Sequence, residues 1–313
     1  MANPEMANPE MTSPDMTNTK TPRQNPITGA DRMTGPGQLA AARHDRPLVM
    51  GVLNVTPDSF SDGGHFKTRG PAITHAIAME AEGADIIDVG GESTRPGSSE
   101  VSAGEEADRV IPVIEALVAK ISAPISIDTY KASTAAAALT AGASIVNDVW
   151  GLMRDPDIAR VAAAHGAPVV IGHWVPELAS ETDNSKIMQR MRDDLSRCVD
   201  HAMAAGIARE RITLDPGIGF GKSPAQNLLI LNSLCALSDL GFPLLVGTSR
   251  KSFIGHITGR EPLDRLAGTI ASNVLAANNG AAILRVHDVA AHHDALRVAT
   301  GIARGTMPSD VVL

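Results

Sequence analysis

The strongest constraint in this chain is an alternation. From Pro47 onward, short runs rich in leucine and β-branched residues recur, each followed by a longer, alanine-rich amphipathic stretch. The runs fall at 48–54, 85–89, 125–128, 144–148, 168–172, 212–215, 243–247 and 281–286. Helices are expected to start near Pro71, Ser102, Lys131, Asp155, Lys186, Pro224, Pro262 and Asp288; Ser102 with Glu105 reads as a capping box. Apolar strands joined by crossover helices make a parallel sheet covered on its faces. Eight such repeats in 313 residues point to a closed (β/α)₈ TIM barrel rather than an open, doubly wound sheet. A dinucleotide-binding sheet would want a glycine fingerprint after its first strand, where residues 54–58 read Asn-Val-Thr-Pro-Asp.

The first residues do not share this pattern. MANPE is repeated at 1–10, looser copies follow, and proline, asparagine, threonine and glycine dominate up to Gly37. Such a segment buries too little apolar surface to offset the entropy of ordering it. The expected organisation is therefore a disordered tail over 1–45 and one barrel domain over 46–313. Composition narrows the function. A net charge of −8 and only eight aromatic residues leave neither the basic field nor the stacking surface that nucleic-acid binding needs. No apolar run spans a membrane and the start does not read as a secretion signal. Cys198 and Cys235 lie in alanine- and leucine-bearing stretches and are expected to be buried or half-buried free thiols, which suits a cytoplasmic protein.

In a barrel of this kind chemistry gathers at the carboxyl ends of the strands. The residues there are Asn54, Asp88 with Glu92, Asp128, Asn147 with Asp148, His173, Asp215, Ser249 with Arg250 and Lys251, then Arg285 with His287. One polar strand end usually caps the next helix; a full set with opposed signs is better explained by a site. Seven of the eight aromatic residues also follow their strands, Phe242 being the exception, and would wall a flat ligand. Asp128, Asn147 and Asp215 supply acceptors for the N–H groups of a heterocycle, and Lys251 a donor. Arg285 and His287 suit a phosphate or pyrophosphate, and Asn54 offers a neutral oxygen to Mg²⁺. Other motifs fail. Gly221-Lys222-Ser223 resembles a Walker A ending, but the first glycine of that motif falls on Pro216. His292 and His293 are expected to be solvated helix residues.

Seven segments, taken in order, are specific. Residues 50–64 (MGVLNVTPDSFSDGG) and 88–97 (DVGGESTRPG) resemble the two long signatures of bacterial dihydropteroate synthases. The likeness continues through SIDT at 126–129, VND at 146–148, LDPGIGFGK at 214–222, TSRKS at 248–252 and RVHD at 285–288. The resemblance implies a (β/α)₈ barrel that joins 6-hydroxymethyl-7,8-dihydropterin pyrophosphate to p-aminobenzoate, releasing pyrophosphate and 7,8-dihydropteroate. It implies that Asp128, Asn147, Asp215 and Lys251 hold the pterin, that Arg285 and His287 hold the diphosphate, and that Asn54 ligates Mg²⁺. Thr94, assigned to the pterin diphosphate as well, would border p-aminobenzoate with Pro96, Phe220 and Ser252. Phe60 and Asp62 would sit on a first loop near the reacting carbon, with Asp62 stabilising a cation there. A homodimer through the last helices and a sulfonamide-target role also come with the resemblance. A methyl-transferring pterin barrel is disfavoured, because the TSRKS segment and the Arg-x-His pair suit a diphosphate leaving group. The segment Val175-Pro176-Glu177 departs from the family pattern beside the strand-five wall.

Overall fold

The computed structural model describes residues 46–56, 69–93, 99–175, 178 and 180–307, together with Pro36 and Gly37. Eight parallel strands close into one barrel in chain order. They are β1 (Leu48–Asn54), β2 (Ile86–Gly90), β3 (Ile125–Asp128), β4 (Ile145–Asp148), β5 (Val169–Gly172), β6 (Ile212–Asp215), β7 (Leu244–Val246) and β8 (Ala281–Val286). Closure is made by β1, which pairs with β2 on one side (Met50 opposite Ile86) and with β8 on the other (Met50 opposite Arg285). The connecting helices are α1 (Arg69–Ala81), α2 (Ala103–Val118), α3 (Ala132–Ala141), α4 (Asp157–Ala164) and α5 (Asn184–Ala204). They continue with α6 (Pro224–Asn232), α7 (Leu234–Ser238), α8 (Ser252–Thr258), α9 (Leu266–Asn278) and α10 (Val289–Arg304).

Local chemistry explains where these elements begin and end. Asp183 caps α5 by accepting from the backbone N–H groups of Ser185 and Lys186. Ser223 and Gln226 form a reciprocal capping box at α6, with Pro224 in the first turn. At α2 only half of the expected box is present. Ser102 accepts from Glu105 N, but the Glu105 carboxylate takes Arg109 instead. Helix α3 stops at Gly142, whose φ of 111° and whose closeness to Val118 both exclude a side chain.

The core has two parts. Outward-facing strand residues such as Val49, Leu53 and Val89 meet helix residues such as Met79, Ile114 and Leu117 in a continuous outer layer. Inward-facing residues form a second, separate cluster in the lumen. Differences from the sequence reading are local. Strand β2 begins one residue late, because Asp85 is held by Arg46. Two short helices, α7 and α8, were not anticipated. Cys198 is half-buried as expected, but Cys235 is exposed. His292 is buried, not solvated, and its Nδ1 lies 2.7 Å from the Asp288 carbonyl. Of the expected tail, only Pro36 and Gly37 are described, and Gly37 lies against Pro243 at the amino end of β7.

Candidate active site

Strand alternation builds this site in two steps. Leu48, Met50, Ile86, Ile145, Val170, Leu245 and Ile283 plug the lower lumen. Side chains two residues apart share a face of a strand, so the next inward positions on three strands are Asp88, Asn147 and Arg285. On β3 and β6 the same step leads from Ser126 to Asp128 and from Thr213 to Asp215. The plug thus carries a polar floor facing the carboxyl ends. Ser126 Oγ, Thr213 Oγ1 and Asp88 Oδ1 are buried there without a hydrogen-bond partner among the described residues.

Arg285 crosses this floor. Its Nε donates to Asp88 Oδ2 at 2.6 Å and its Nη2 to Asp128 Oδ2 at 2.7 Å. Asn147 Nδ2 donates to the same Asp88 oxygen at 3.1 Å. Burial raises Asp128 to about 7; Arg285 offsets this, while Asp88, Glu106 and Asp148 add to it. Burial likewise raises Asp215, against the Gly217 N–H that its carboxylate accepts. For Arg285, burial opposes the charge, but Asp88 and Asp128 outweigh it and hold the guanidinium above its ordinary range.

The loop after β6 forms one wall. Lys222 Nζ donates to three carbonyls, those of His173 (2.9 Å), Gly217 (2.9 Å) and Phe220 (3.0 Å), so it ties the end of β5 to this loop. Burial pushes this ammonium down to about 7. Lys251 Nζ donates to Ile218 O at 2.6 Å and lies 3.9 Å from the Phe220 ring centre. Burial lowers Lys251 to about 8, with Asp215 opposing that shift. From Phe220 the rings continue outward. Trp174 is 5.2 Å away, Trp150 stacks on Trp174 at 3.8 Å, and Tyr130 meets Trp150 edge-on at 6.3 Å. Half of the chain's aromatic residues therefore stand in one row at the barrel mouth.

The turn after β7 presents the remaining groups. Arg250 has φ of 60°, a costly conformation for a residue with a side chain. It is held by Thr269 Oγ1 on its N–H, by Asp288 on its guanidinium and by Arg265 on its carbonyl. This turn brings Ser249 Oγ to 2.9 Å from His287 Nδ1 and puts Lys251 at the start of α8, with Ser252 exposed beside it. Asn54 ends β1 opposite Gly90. A side chain at Gly90 would lie 3.6 Å from Asp128 Oδ2 and 3.9 Å from Asn54 Oδ1. Glycine thus keeps open a space bordered by two oxygens, a donor set that suits a hard cation. Among the described residues there is no cluster of three or more metal-ligating acids, histidines and cysteines. Phe60, Asp62, Thr94, Arg95 and Pro96 lie outside the described residues. Glu92 pairs with Lys131 and accepts from Val101 N at 3.3 Å.

Three residues with evident work in the site were not singled out for it from the sequence. Asp88 was legible as a strand end, Arg250 as part of TSRKS, and Lys222 only as a failed phosphate motif.

A family model described as pterin binding enzyme matches residues 50–287. The chain belongs to the pterin-binding enzyme family. It is 49% identical over 250 residues to a dihydropteroate synthase of Bacillus subtilis, covering 80% of this chain and 86% of the relative. A crystal structure of the Clostridium difficile dihydropteroate synthase in the presence of pteroic acid is also similar. Its TM-score is 0.79 at 49% identity, with 83% of this chain and 97% of that one covered. The Xanthomonas albilineans enzyme with 4-aminobenzoic acid gives 0.78 at 48%, covering 84% and 95%.

Proposed function

We propose that this chain is a dihydropteroate synthase. It condenses 6-hydroxymethyl-7,8-dihydropterin pyrophosphate with p-aminobenzoate, giving 7,8-dihydropteroate and pyrophosphate. The observation that carries the site assignment is the convergence of Asp128, Asn147, Asp215, Lys251 and Arg285 on one lumen above an apolar plug.

In this reading Asp128, Asn147 and Asp215 take the N–H groups of the pterin, and Lys251 donates to it. A buried carboxylate can accept two parallel N–H bonds, which orients a flat heterocycle in its own plane. Arg285 and His287 bind the diphosphate. The C–O bond to the exocyclic methylene breaks, and its electron pair leaves with pyrophosphate. Cationic donors aimed at those oxygens stabilise the growing charge. The ring nitrogens delocalise the charge left on carbon, so the path is dissociative. The neutral arylamine then forms the new C–N bond and loses its proton. Phe220 and Ser252, with Thr94 and Pro96 by resemblance, border p-aminobenzoate. Asp62 and Phe60 keep the roles that the resemblance implies. Asn54 would hold Mg²⁺, which supplies charge neutralisation on the diphosphate when bound.

Exposed Leu275, Val298, Ile302 and Met307 on and after the last two helices support a homodimer through that face, which sedimentation would test. Among the described residues no helix is long and apolar enough to cross a membrane. A cytoplasmic location accords with two free cysteines. The central test is pyrophosphate release by the purified chain. Release that requires both substrates and Mg²⁺ is expected. No release from folded protein overturns the assignment.

A further inference from the structure

The lumen holds one charged group that this division of labour leaves without a task. Asp88 is wholly buried on β2. Its Oδ2 accepts from Arg285 Nε on β8 and from Asn147 Nδ2 on β4. Neither strand is paired with β2, so this one oxygen ties together three strands across the lumen. Its two donors are the groups assigned above to opposite ends of one substrate: Asn147 to the pterin and Arg285 to the diphosphate. The chemistry of the residue fits that position. An ionised carboxylate only accepts, so both donors can share an oxygen without a competing N–H. Its charge also offsets part of the cost of burying a guanidinium. Arg285 is held at two atoms, Nε by Asp88 and Nη2 by Asp128. Of these two carboxylates, Asp128 is given to the substrate in the reading above, which leaves Asp88 as the fixed anchor.

We propose that Asp88 is a positioning residue: by holding Asn147 and Arg285 on one oxygen, it sets the spacing between the pterin end and the diphosphate end of the site. The inference rests on the roles given to Asn147 and Arg285 above. A purely structural Asp88 would lower stability and affect every ligand alike. A positioning Asp88 penalises the intact substrate more than either of its halves.

The experiment uses the full chain and D88N, whose side chain keeps the size and loses the charge. For D88N, kcat/KM for the pterin diphosphate should fall on the order of 100-fold, the scale of a small misplacement of reacting groups. The KM for p-aminobenzoate should hold. Binding of 6-hydroxymethylpterin alone, or of inorganic pyrophosphate alone, should weaken by less than about tenfold each. With N147A and R285A combined, Asp88 has neither donor to hold, and adding D88N should change kcat/KM by less than about threefold. Unchanged kcat/KM in D88N, or an undiminished penalty in the N147A/R285A background, overturns the proposal. If N147A and R285A each leave substrate binding intact, the roles assigned to those two residues fall first, and the inference falls with them. If they cost activity and D88N does not, only the inference falls. Should D88N not fold, the Arg285 Nε–H resonance of the parent chain, assigned by its loss in R285K, takes its place. A slowly exchanging signal is expected; rapid exchange with solvent overturns the proposal.

Discussion

Two arginine–aspartate groupings stand at opposite ends of this barrel, and they are built differently. At the amino end, Arg46 meets Asp85 through two nitrogens on two oxygens, at 2.7 and 3.2 Å. Arg46 also donates to Pro47 O, and Asp85 accepts from Val49 N. One cation faces one anion, and both carboxylate oxygens of Asp85 are taken, although Arg46 Nε has no partner among the described residues. At the carboxyl end, one guanidinium is shared between Asp88 and Asp128, and Asp88 Oδ1 has no partner among the described residues. The first grouping is closed in that both oxygens of its one acid are taken. The second sets two carboxylates against one guanidinium, and that surplus of acceptors is a structural cost without a ligand and a binding site with one. The same residue pair thus serves folding at one end and recognition at the other, and the surplus of acceptors separates the two.

The largest expected effect breaks the closed grouping. Arg46→Met leaves Asp85 buried without its counter-ion, and stability should fall by about 3 to 5 kcal/mol. Denaturant unfolding measures that loss. At a temperature where the variant is folded, kcat and both KM values should match the parent. A fall in kcat with stability unchanged would show that the amino end is not purely structural.

A smaller effect, of opposite character, is expected where acceptors are in surplus. Asp215→Ala removes a buried acceptor from the floor and should weaken pterin binding by about 2 to 3 kcal/mol. Stability should change little or rise, because a carboxyl that burial already raises is no longer sequestered. Calorimetry on the pterin diphosphate reads the first quantity and thermal unfolding the second. Unchanged affinity would remove Asp215 from the pterin floor.

How much of this was visible in the chain follows the same division. The alternation of apolar runs and amphipathic stretches is a local property, so the barrel and most strand limits could be read directly. Strand ends were legible because the alternation places Asp128, Asn147, Asp215 and Arg285 at equivalent positions. What could not be read is which strand-end groups meet. Asp88 and Arg285 are 197 residues apart and touch only because β8 closes on β1 beside β2. Arg285 was read as suiting a phosphate, and its two carboxylate partners, Asp88 and Asp128, could not be read with it. Lys222 was weighed as a phosphate-loop residue, and its carbonyl cage depends on the approach of β5 to β6. The buried His292 reflects a helix face set by tertiary packing, where the adjacent pair with His293 read as solvated.

The smallest effect tests whether the open grouping titrates as its surplus of acceptors implies. Burial holds Asp128 at about 7, with Asp88, Glu106 and Asp148 raising it and Arg285 lowering it. Below that pH the carboxyl is protonated, loses an acceptor site and binds the pterin N–H groups less well. Lys251 is lowered to about 8, so above that pH it loses its charge and its full set of donors. Pterin affinity should therefore peak between about pH 7 and pH 8. On the acid side it should fall by up to about tenfold per pH unit, because a proton must be removed for each productive complex. D128N should lower affinity at the optimum and flatten the acid limb. K251R should move the alkaline limb upward, because a guanidinium stays charged there. An acid limb unchanged in D128N would mean that another group controls it, and that Arg285 satisfies Asp128 as fully as Arg46 satisfies Asp85.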